Sequence, residues 1–118
     1  MNDSKKLMEK IGYHFQDITL YRTALTHSSY SKDLERNQIY ERLEFLGDRV
    51  LGLIISDEIY RRFSESTEGE LAKKLSFLVC KATLRKIAKE ILIGDFIIYS
   101  NKLKKSSLDT IKANSLEA

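Results

Sequence analysis

The stretch ERLEFLGD, residues 41–48, sets three acidic side chains, Glu41, Glu44 and Asp48, among apolar ones. An α-helix turns by ~100° per residue, so these acids would share one narrow arc of a helix. The pattern predicts a long amphipathic helix over about residues 39–63. Its apolar residues fall on the opposite arc and predict a stripe that faces the core: Leu43, Leu46, Val50, Leu53 and Ile54.

The acidic arc has two interpretations, a solvated helix face and a metal site, and the pattern alone leaves both open. Like charges one turn apart repel by ~0.2–0.5 kcal/mol per pair. Arg42 and Arg49 project beside the acids rather than onto them, so neither compensates this repulsion. Gly52 lies on the acidic arc. A mid-helix glycine costs ~0.5–1 kcal/mol relative to alanine, and it leaves space for another group to approach the acids. Phe45 lies outside the apolar stripe, so its ring needs cover from another element or another chain.

Composition indicates one globular domain over residues 1–118. The 20 basic and 17 acidic side chains give a net charge of +3, which permits a polyanionic partner without demanding one. Cys80 is the sole cysteine, so no intrachain disulfide can form and we expect a reducing, cytoplasmic location. The N-terminus has no signal-peptide pattern, and the apolar run at residues 50–55 is too short to cross a membrane.

Helical patterns dominate the rest of the chain, and the whole sequence contains no proline and five glycines. Asp17 is a candidate cap for an early helix, and Thr67 with Glu70 forms a candidate capping box for a later one. Gly94 is expected to stop the next helix, and the polar stretch 27–38 is expected to be a loop. The last helical pattern starts near residues 107–110 and runs into the C-terminus, so we expect a domain cut within its last helix. The other helices are predicted at about residues 5–11, 17–25, 39–63, from 67 and from 83.

The last helical pattern supplies a second pair of oxygen ligands, Asn114 and Glu117, which are one turn apart and share a face. Two helices could therefore present oxygens across one gap, with the acids of residues 41–48 on one side and this pair on the other. Carboxylate and amide oxygens, without His or Cys, suit Mg²⁺ or Mn²⁺ rather than zinc. Mg²⁺ held by carboxylates commonly acts on phosphates.

Several stretches together resemble the ribonuclease III family of double-stranded-RNA endonucleases. Residues 41–52, ERLEFLGDRVLG, are similar to the signature of that family. GYHF at 12–15 and ALTHSSY at 24–30 resemble its N-terminal segment. TEGEL at 67–71 resembles its EGxL turn, and ANSLEA at 113–118 resembles its ADxxEA motif. The resemblance implies an all-α endonuclease-domain fold that forms a homodimer.

The resemblance also implies roles for individual residues. Four of them would bind catalytic Mg²⁺, for which Mn²⁺ could substitute: Glu44, Asp48, Asn114 and Glu117. Asp48 and Glu117 are the expected catalytic residues among these. Glu41 and Glu68 match supporting acids near the cleavage site. Phe45 matches an aromatic residue that inserts into the partner subunit at the dimer interface.

The implied reaction is hydrolysis of double-stranded RNA, leaving 5′-phosphate and 3′-hydroxyl ends with short 3′ overhangs. Processing of ribosomal RNA precursors is the implied role, in the cytoplasm and away from membranes. Basic residues must hold the RNA beside an acidic centre, although surface lysines are usually just solvated. The candidate RNA-binding lysines are Lys73, Lys74, Lys102, Lys104 and Lys105.

Asn114 departs from the family pattern, which has aspartate at this position. The double-stranded-RNA-binding domain that normally follows in the bacterial enzymes is expected to lie outside these 118 residues. One alternative is therefore a catalytically silent ribonuclease-III-like module that binds RNA or dimerises. Another is a plain helical interaction domain, in which the acids are a solvated stripe.

Overall fold

The computed structural model describes residues 2–30, 32–91, 93–100, 102 and 105–118. Over these residues the chain forms helices connected by short segments, and an isolated bridge between Thr26 and Ile98 replaces any longer β-strand. The predicted all-α fold is therefore confirmed for this part of the chain. The helices are α1 Asn2–Ile11, α2 Ile18–Ala24, α3 Leu34–Arg62, α4 Glu68–Val79, α5 Lys81–Glu90, a 3₁₀ turn Ile93–Asp95, and α6 Lys105–Glu117.

Two predicted helix caps are confirmed. The Asp17 carboxylate accepts hydrogen bonds from the backbone N–H groups of Thr19, at 2.9 Å, and Leu20, at 3.2 Å. At the start of α4, the Glu70 N–H donates to the Thr67 hydroxyl at 3.3 Å, while the Thr67 N–H donates to the Glu70 carboxylate at 2.9 Å. These side chains satisfy donors that the first turn of a helix leaves unpaired, so they fix where α2 and α4 begin.

The long helix α3 begins five residues earlier than predicted, at Leu34. Residues 34–38 are therefore helical, and the loop prediction for them is wrong. Asp33 has an extended backbone and its carboxylate accepts from the N–H of Arg36, which makes it the N-cap. The mostly polar composition of these residues concealed the helix, because they show no apolar periodicity and the cap alone supplies the start signal.

Helix α5 ends at Glu90, so Gly94 does not terminate it as predicted. Gly94 instead lies in the 3₁₀ turn, and a Cβ there would press against the side chain of Lys112. The chain then runs extended past α2, where Ile98 accepts from the N–H of His27 and donates to the carbonyl of Leu25, both at 2.8 Å. The start of α6 at Lys105 is close to the predicted position.

The main hydrophobic core lies between α1, α2, α5, α6 and the segment that joins α5 to α6. Burial of these apolar side chains supplies the main driving force for packing the helices. Within the described residues, no helix combines the length and apolar character that crossing a membrane requires. The buried cluster contains Leu7, Met8, Tyr21, Leu25, Ala88, Ile93, Ile97 and Ile111.

The apolar stripe predicted on α3 does not face this core. Leu53 is 71% exposed and Leu46 is 59% exposed, with Val50 and Ile54 also on the surface and only Leu43 partly covered. The fully buried residues of α3, Tyr40 and Ile59, lie on a different arc of the helix. The prediction failed because α3 carries apolar residues on more than one side, and α6 packs on a side other than the stripe.

Candidate metal centre

The last turn of α6 crosses α3 at Gly47. A Cβ at Gly47 would overlap the backbone carbonyl of Glu117, so the two helices touch main chain to main chain at this point. The hydroxyls of Tyr40 and Ser115, which are buried, lie 3.4 Å apart and link the same two helices. Because Glu44 lies one turn before Gly47, the crossing brings it near the carboxylate of Glu117.

A lysine from a third helix reaches this crossing. Lys81, the first residue of α5, donates from Nζ to Asn114 Oδ1 at 2.8 Å and to Glu117 Oε1 at 3.0 Å. The Glu117 side chain is 6% exposed, whereas the Lys81 side chain is 47% exposed. Both α6 residues predicted as metal ligands therefore share one positive charge in this structure.

Charge interactions extend this group to Glu44. Burial raises the pKa of the Glu44 carboxyl, the positive charge of Lys81 opposes this, and the negative charges of Glu117 and Glu41 raise it further. The net pKa is above its usual range. Burial also raises the pKa of Tyr40 to about 12, with smaller contributions in the same direction from Glu44 and Glu117 and an opposing one from the Ser115 hydroxyl. Glu44 and Glu117 thus lie within electrostatic reach of one another and of Lys81.

Asp48 points elsewhere in this structure. Its Oδ2 accepts from Arg49 Nη1 at 3.0 Å, and both side chains are about half exposed. The Arg49 guanidinium also lies over the Phe45 ring, 3.9 Å from its centroid. The prediction that Arg49 leaves the acids uncompensated is therefore wrong, since its long side chain turns back to its neighbour Asp48.

The donor set fits a hard divalent cation in its chemistry. Glu44, Asn114 and Glu117 offer oxygen atoms alone, which Mg²⁺ and Mn²⁺ prefer, and Asn114 and Glu117 already bind a cation here, the Lys81 ammonium. Among the described residues, however, no three His, Cys, Asp or Glu side chains are gathered closely enough to hold a metal ion. Asp48 is paired with Arg49, and Asn114 contributes an amide rather than a carboxylate.

The remaining predicted acids, Glu41 and Glu68, are both exposed. Glu41 is exposed on α3 and acts on Glu44 through its charge. Glu68 is exposed in the first turn of α4. Phe45 is 62% exposed and lines a surface cavity with Ile39 and Leu46.

The predicted RNA-binding lysines are spread over two regions. Lys73 is exposed on α4, and Lys74 Nζ lies 4.6 Å from the centroid of the Phe63 ring. Lys102 is exposed in the segment before α6. Lys104 and the side chain of Lys105 lie outside the described residues.

Sequence reasoning missed Lys81 and Gly47. Lys81 is 33 positions from Asn114 and 36 from Glu117, so no local spacing connects them. One signal was available, because a lysine at the first position of a helix is disfavoured by the helix dipole and calls for an acidic partner. Gly47 lies within residues 41–48, between Glu44 and Asp48 on the same helix. A glycine inside a helical pattern indicates a packing reason such as close approach of another backbone.

The chain matches the family model Ribonuclease-III-like over residues 17–118. Ribonuclease 3 of Wolbachia pipientis subsp. Culex pipiens (strain wPip) is 42% identical over 124 residues, which cover 100% of this chain and 53% of that protein. Ribonuclease 3 of Clostridium tetani (strain Massachusetts / E88) is 45% identical over 95 residues, 80% of this chain and 40% of that one. The chain spans about half the length of the curated relatives it matches.

Solved structures agree with the sequence matches. The nuclease domain of ribonuclease III from Campylobacter jejuni superimposes with a TM-score of 0.86 at 36% identity, covering 99% of this chain and 79% of that one. A second structure of that domain, described for structural flexibility in its region involved in dimer formation, gives a TM-score of 0.84 at 36% identity over 95% of this chain and 78% of that one. The family match and these superpositions establish that the chain belongs to the ribonuclease-III-like family and has the fold of its nuclease domain.

Proposed function

We propose that this chain is the nuclease domain of a metal-dependent endoribonuclease that hydrolyses phosphodiesters in double-stranded RNA. One observation carries the proposal: the contact of α3 with α6 at Gly47 brings Glu44 within electrostatic reach of Glu117, on the same side of the crossing. Membership of the ribonuclease-III-like family supports the reaction class.

In this proposal Glu44, Asn114 and Glu117 hold Mg²⁺ or Mn²⁺, and Asp48 joins them after it separates from Arg49. The bound ion would supply an activated water and neutralise charge on the phosphate, leaving 5′-phosphate and 3′-hydroxyl ends. The Tyr40 and Ser115 hydroxyls keep α3 and α6 together, so that carboxylates from separate helices keep their relative positions. Glu41 and Glu68 are supporting acids at the edge of the site.

The proposed active form is a homodimer whose subunits each cut one strand, which leaves short 3′ overhangs. Support comes from the exposed apolar stripe of α3 with Phe45, since a surface of this kind is typical of an interface. The C. jejuni nuclease domain is described as having a region involved in dimer formation.

The substrate is read by its A-form shape, its phosphates and its 2′-hydroxyls rather than by base sequence. Lysines beside the acidic centre would neutralise phosphates, and ribosomal RNA precursors in the cytoplasm are the proposed cellular substrate. The residues proposed for these contacts are Lys73, Lys74, Lys102, Lys104 and Lys105.

The test is cleavage of a labelled RNA duplex by the full chain in Mg²⁺ and in EDTA. We expect cleavage in Mg²⁺ and none in EDTA. Glu117→Gln should lower the cleavage rate by about a hundredfold or more, because breaking one buried charge pair or ligand bond costs several kcal/mol. Glu90→Gln is the matched control, since Glu90 is an exposed acid in the last turn of α5. Cleavage that survives EDTA, or that Glu117→Gln leaves intact, would contradict the proposal.

A catalytically silent RNA-binding or dimerisation module is the second candidate. It is favoured by the neutral side chain of Asn114 and by the pairing of Glu117 with Lys81, which together lower the negative charge available to a metal ion. The same assay separates the two candidates, because a silent module would bind the duplex and leave it intact in Mg²⁺ and in Mn²⁺.

A further inference from the structure

Lys81 occupies a position that its own helix disfavours. It is the first residue of α5, where the positive end of the helix dipole repels a cation. Its ammonium nevertheless makes two charge-assisted hydrogen bonds, to Asn114 Oδ1 at 2.8 Å and to Glu117 Oε1 at 3.0 Å. The two hydrogen bonds with α6 therefore offset the repulsion of Lys81 by the dipole of its own helix.

The charge balance at the crossing explains why these contacts form. Glu44 and Glu117 are two acids within electrostatic reach of each other, and each is at least partly removed from water. Without a nearby cation, their repulsion would act against the α3–α6 contact at Gly47. Lys81 supplies one positive charge at this point, and Arg49 is already engaged with Asp48.

A divalent ion at the same oxygens would be incompatible with this arrangement. The lone pairs of Asn114 Oδ1 and Glu117 Oε1 that face the ammonium would be shared with the ion, and two cations a few ångströms apart repel. The Lys81 side chain is 47% exposed, so it has room to swing into solvent. It can therefore exchange with a soluble ion without unfolding α5.

We propose that Lys81 is a positioning residue that acts as a tethered cation: its ammonium joins Asn114 and Glu117 in the metal-free protein and leaves them when a divalent ion binds. Lys81 thereby sets the metal affinity of the site. This inference rests on the proposed function for the existence of the metal site, and goes beyond it by naming the residue that competes for the ligands.

The experiment is a titration of the full chain with Mn²⁺, in which free aqueous Mn²⁺ is measured by electron paramagnetic resonance. We expect Lys81→Met to bind Mn²⁺ on the order of tenfold more tightly than the wild type, the change that corresponds to one charge-assisted hydrogen bond. Lys81→Arg keeps the charge and should stay close to the wild type. Lys86→Met is the control, because it removes an exposed lysine of the same helix and reports the effect of net charge alone.

A second measurement covers the metal-free state. In EDTA, Lys81→Met should melt at a lower temperature than Lys86→Met, and saturating Mn²⁺ should remove most of that difference, because the ion replaces the missing positive charge. A purely structural role for Lys81 would leave the difference unchanged by Mn²⁺. If Lys81→Met does not fold, Lys81→Gln provides the same loss of charge with a polar side chain.

The outcomes separate this inference from the proposed function. Equal Mn²⁺ affinity in the wild type, Lys81→Met and Lys86→Met would overturn the role of Lys81 and leave the metal site standing. Weaker binding by Lys81→Met would also overturn it, because Lys81 would then assist the ion rather than compete with it. Absence of Mn²⁺ binding in every variant would overturn the metal site itself.

Discussion

The two sides of α3 differ in how far the rest of the chain covers them. Toward α6, the helix offers Gly47 and the buried Tyr40, and the neighbouring backbone of Glu117 fills the space completely. On its other side, Leu53 is 71% exposed and Phe45 is 62% exposed. One side is closed by the chain's own residues, whereas the other carries apolar area that a second subunit can cover. In the proposed function, the closed side of α3 serves the metal site and its exposed apolar side serves the homodimer interface.

Two glycines of α3 provide the strongest test of the closed side. Gly47→Ala places a methyl group on the Glu117 carbonyl, so we expect a loss of about 3 kcal/mol in unfolding free energy through overpacking. Gly52 has no atom within 4 Å of an added Cβ, so Gly52→Ala should stabilise α3 by about 0.5–1 kcal/mol. Thermal unfolding of both variants measures this difference. Equal melting temperatures would show that α6 does not press on Gly47 in solution.

The open side is tested by truncating its aromatic residue. We expect Phe45→Ala to weaken the homodimer by about 2 kcal/mol, roughly a thirtyfold rise in its dissociation constant, with little change in monomer stability. Sedimentation equilibrium over a range of protein concentrations measures this constant. Tyr13→Ala is the matched control, because Tyr13 is similarly exposed, at 57%, and lies between α1 and α2. An unchanged dimer in Phe45→Ala would assign the interface to a different surface.

The smallest expected effect concerns Arg49, which lies on the open side of α3 beside Phe45. Arg49→Met removes the ion pair with Asp48 and the contact with the Phe45 ring, both at the surface. Such contacts contribute about 0.2–1 kcal/mol each. The free energy of unfolding, measured by urea denaturation, should therefore fall by about 0.5 kcal/mol. Arg61→Met removes a comparable exposed pair with Asp57 and serves as the control. A loss above about 2 kcal/mol would mean that Arg49 stabilises the helix crossing itself.

Local signals in the sequence predicted the helix starts well and the long-range packing less well. Asp17, Thr67 and Glu70 act on N–H groups two or three positions away, so their roles can be read directly from spacing. The start of α3 was missed because its cap, Asp33, precedes a polar turn with no apolar periodicity.

In the candidate site too, local spacing was predicted from the sequence and the long-range contacts were not. Helical spacing predicts that Glu41, Glu44 and Asp48 share one arc, and the pattern of the last helix predicts a second pair of oxygen ligands across from them. The structure places Glu44 within electrostatic reach of Glu117 and pairs Asp48 with Arg49. Neither pattern reveals that Asp48 turns to Arg49, since that depends on a rotamer choice at the surface. Neither reveals Lys81, because the turn between α4 and α5 determines where this side chain points. The core side of α3 was assigned to the wrong arc because the helix is apolar on several sides.

The crossing at Gly47 has a mechanical consequence for any ion that binds beside it. Side chains change rotamer within picoseconds to nanoseconds, and helices separated by side chains can shift as those rotamers change. Where two main chains touch, there is no rotamer to relax. The separation of the α3 and α6 backbones that carry Glu44 and Glu117 is therefore held by main-chain contact, and substitutions elsewhere in the core will alter stability before they alter that separation.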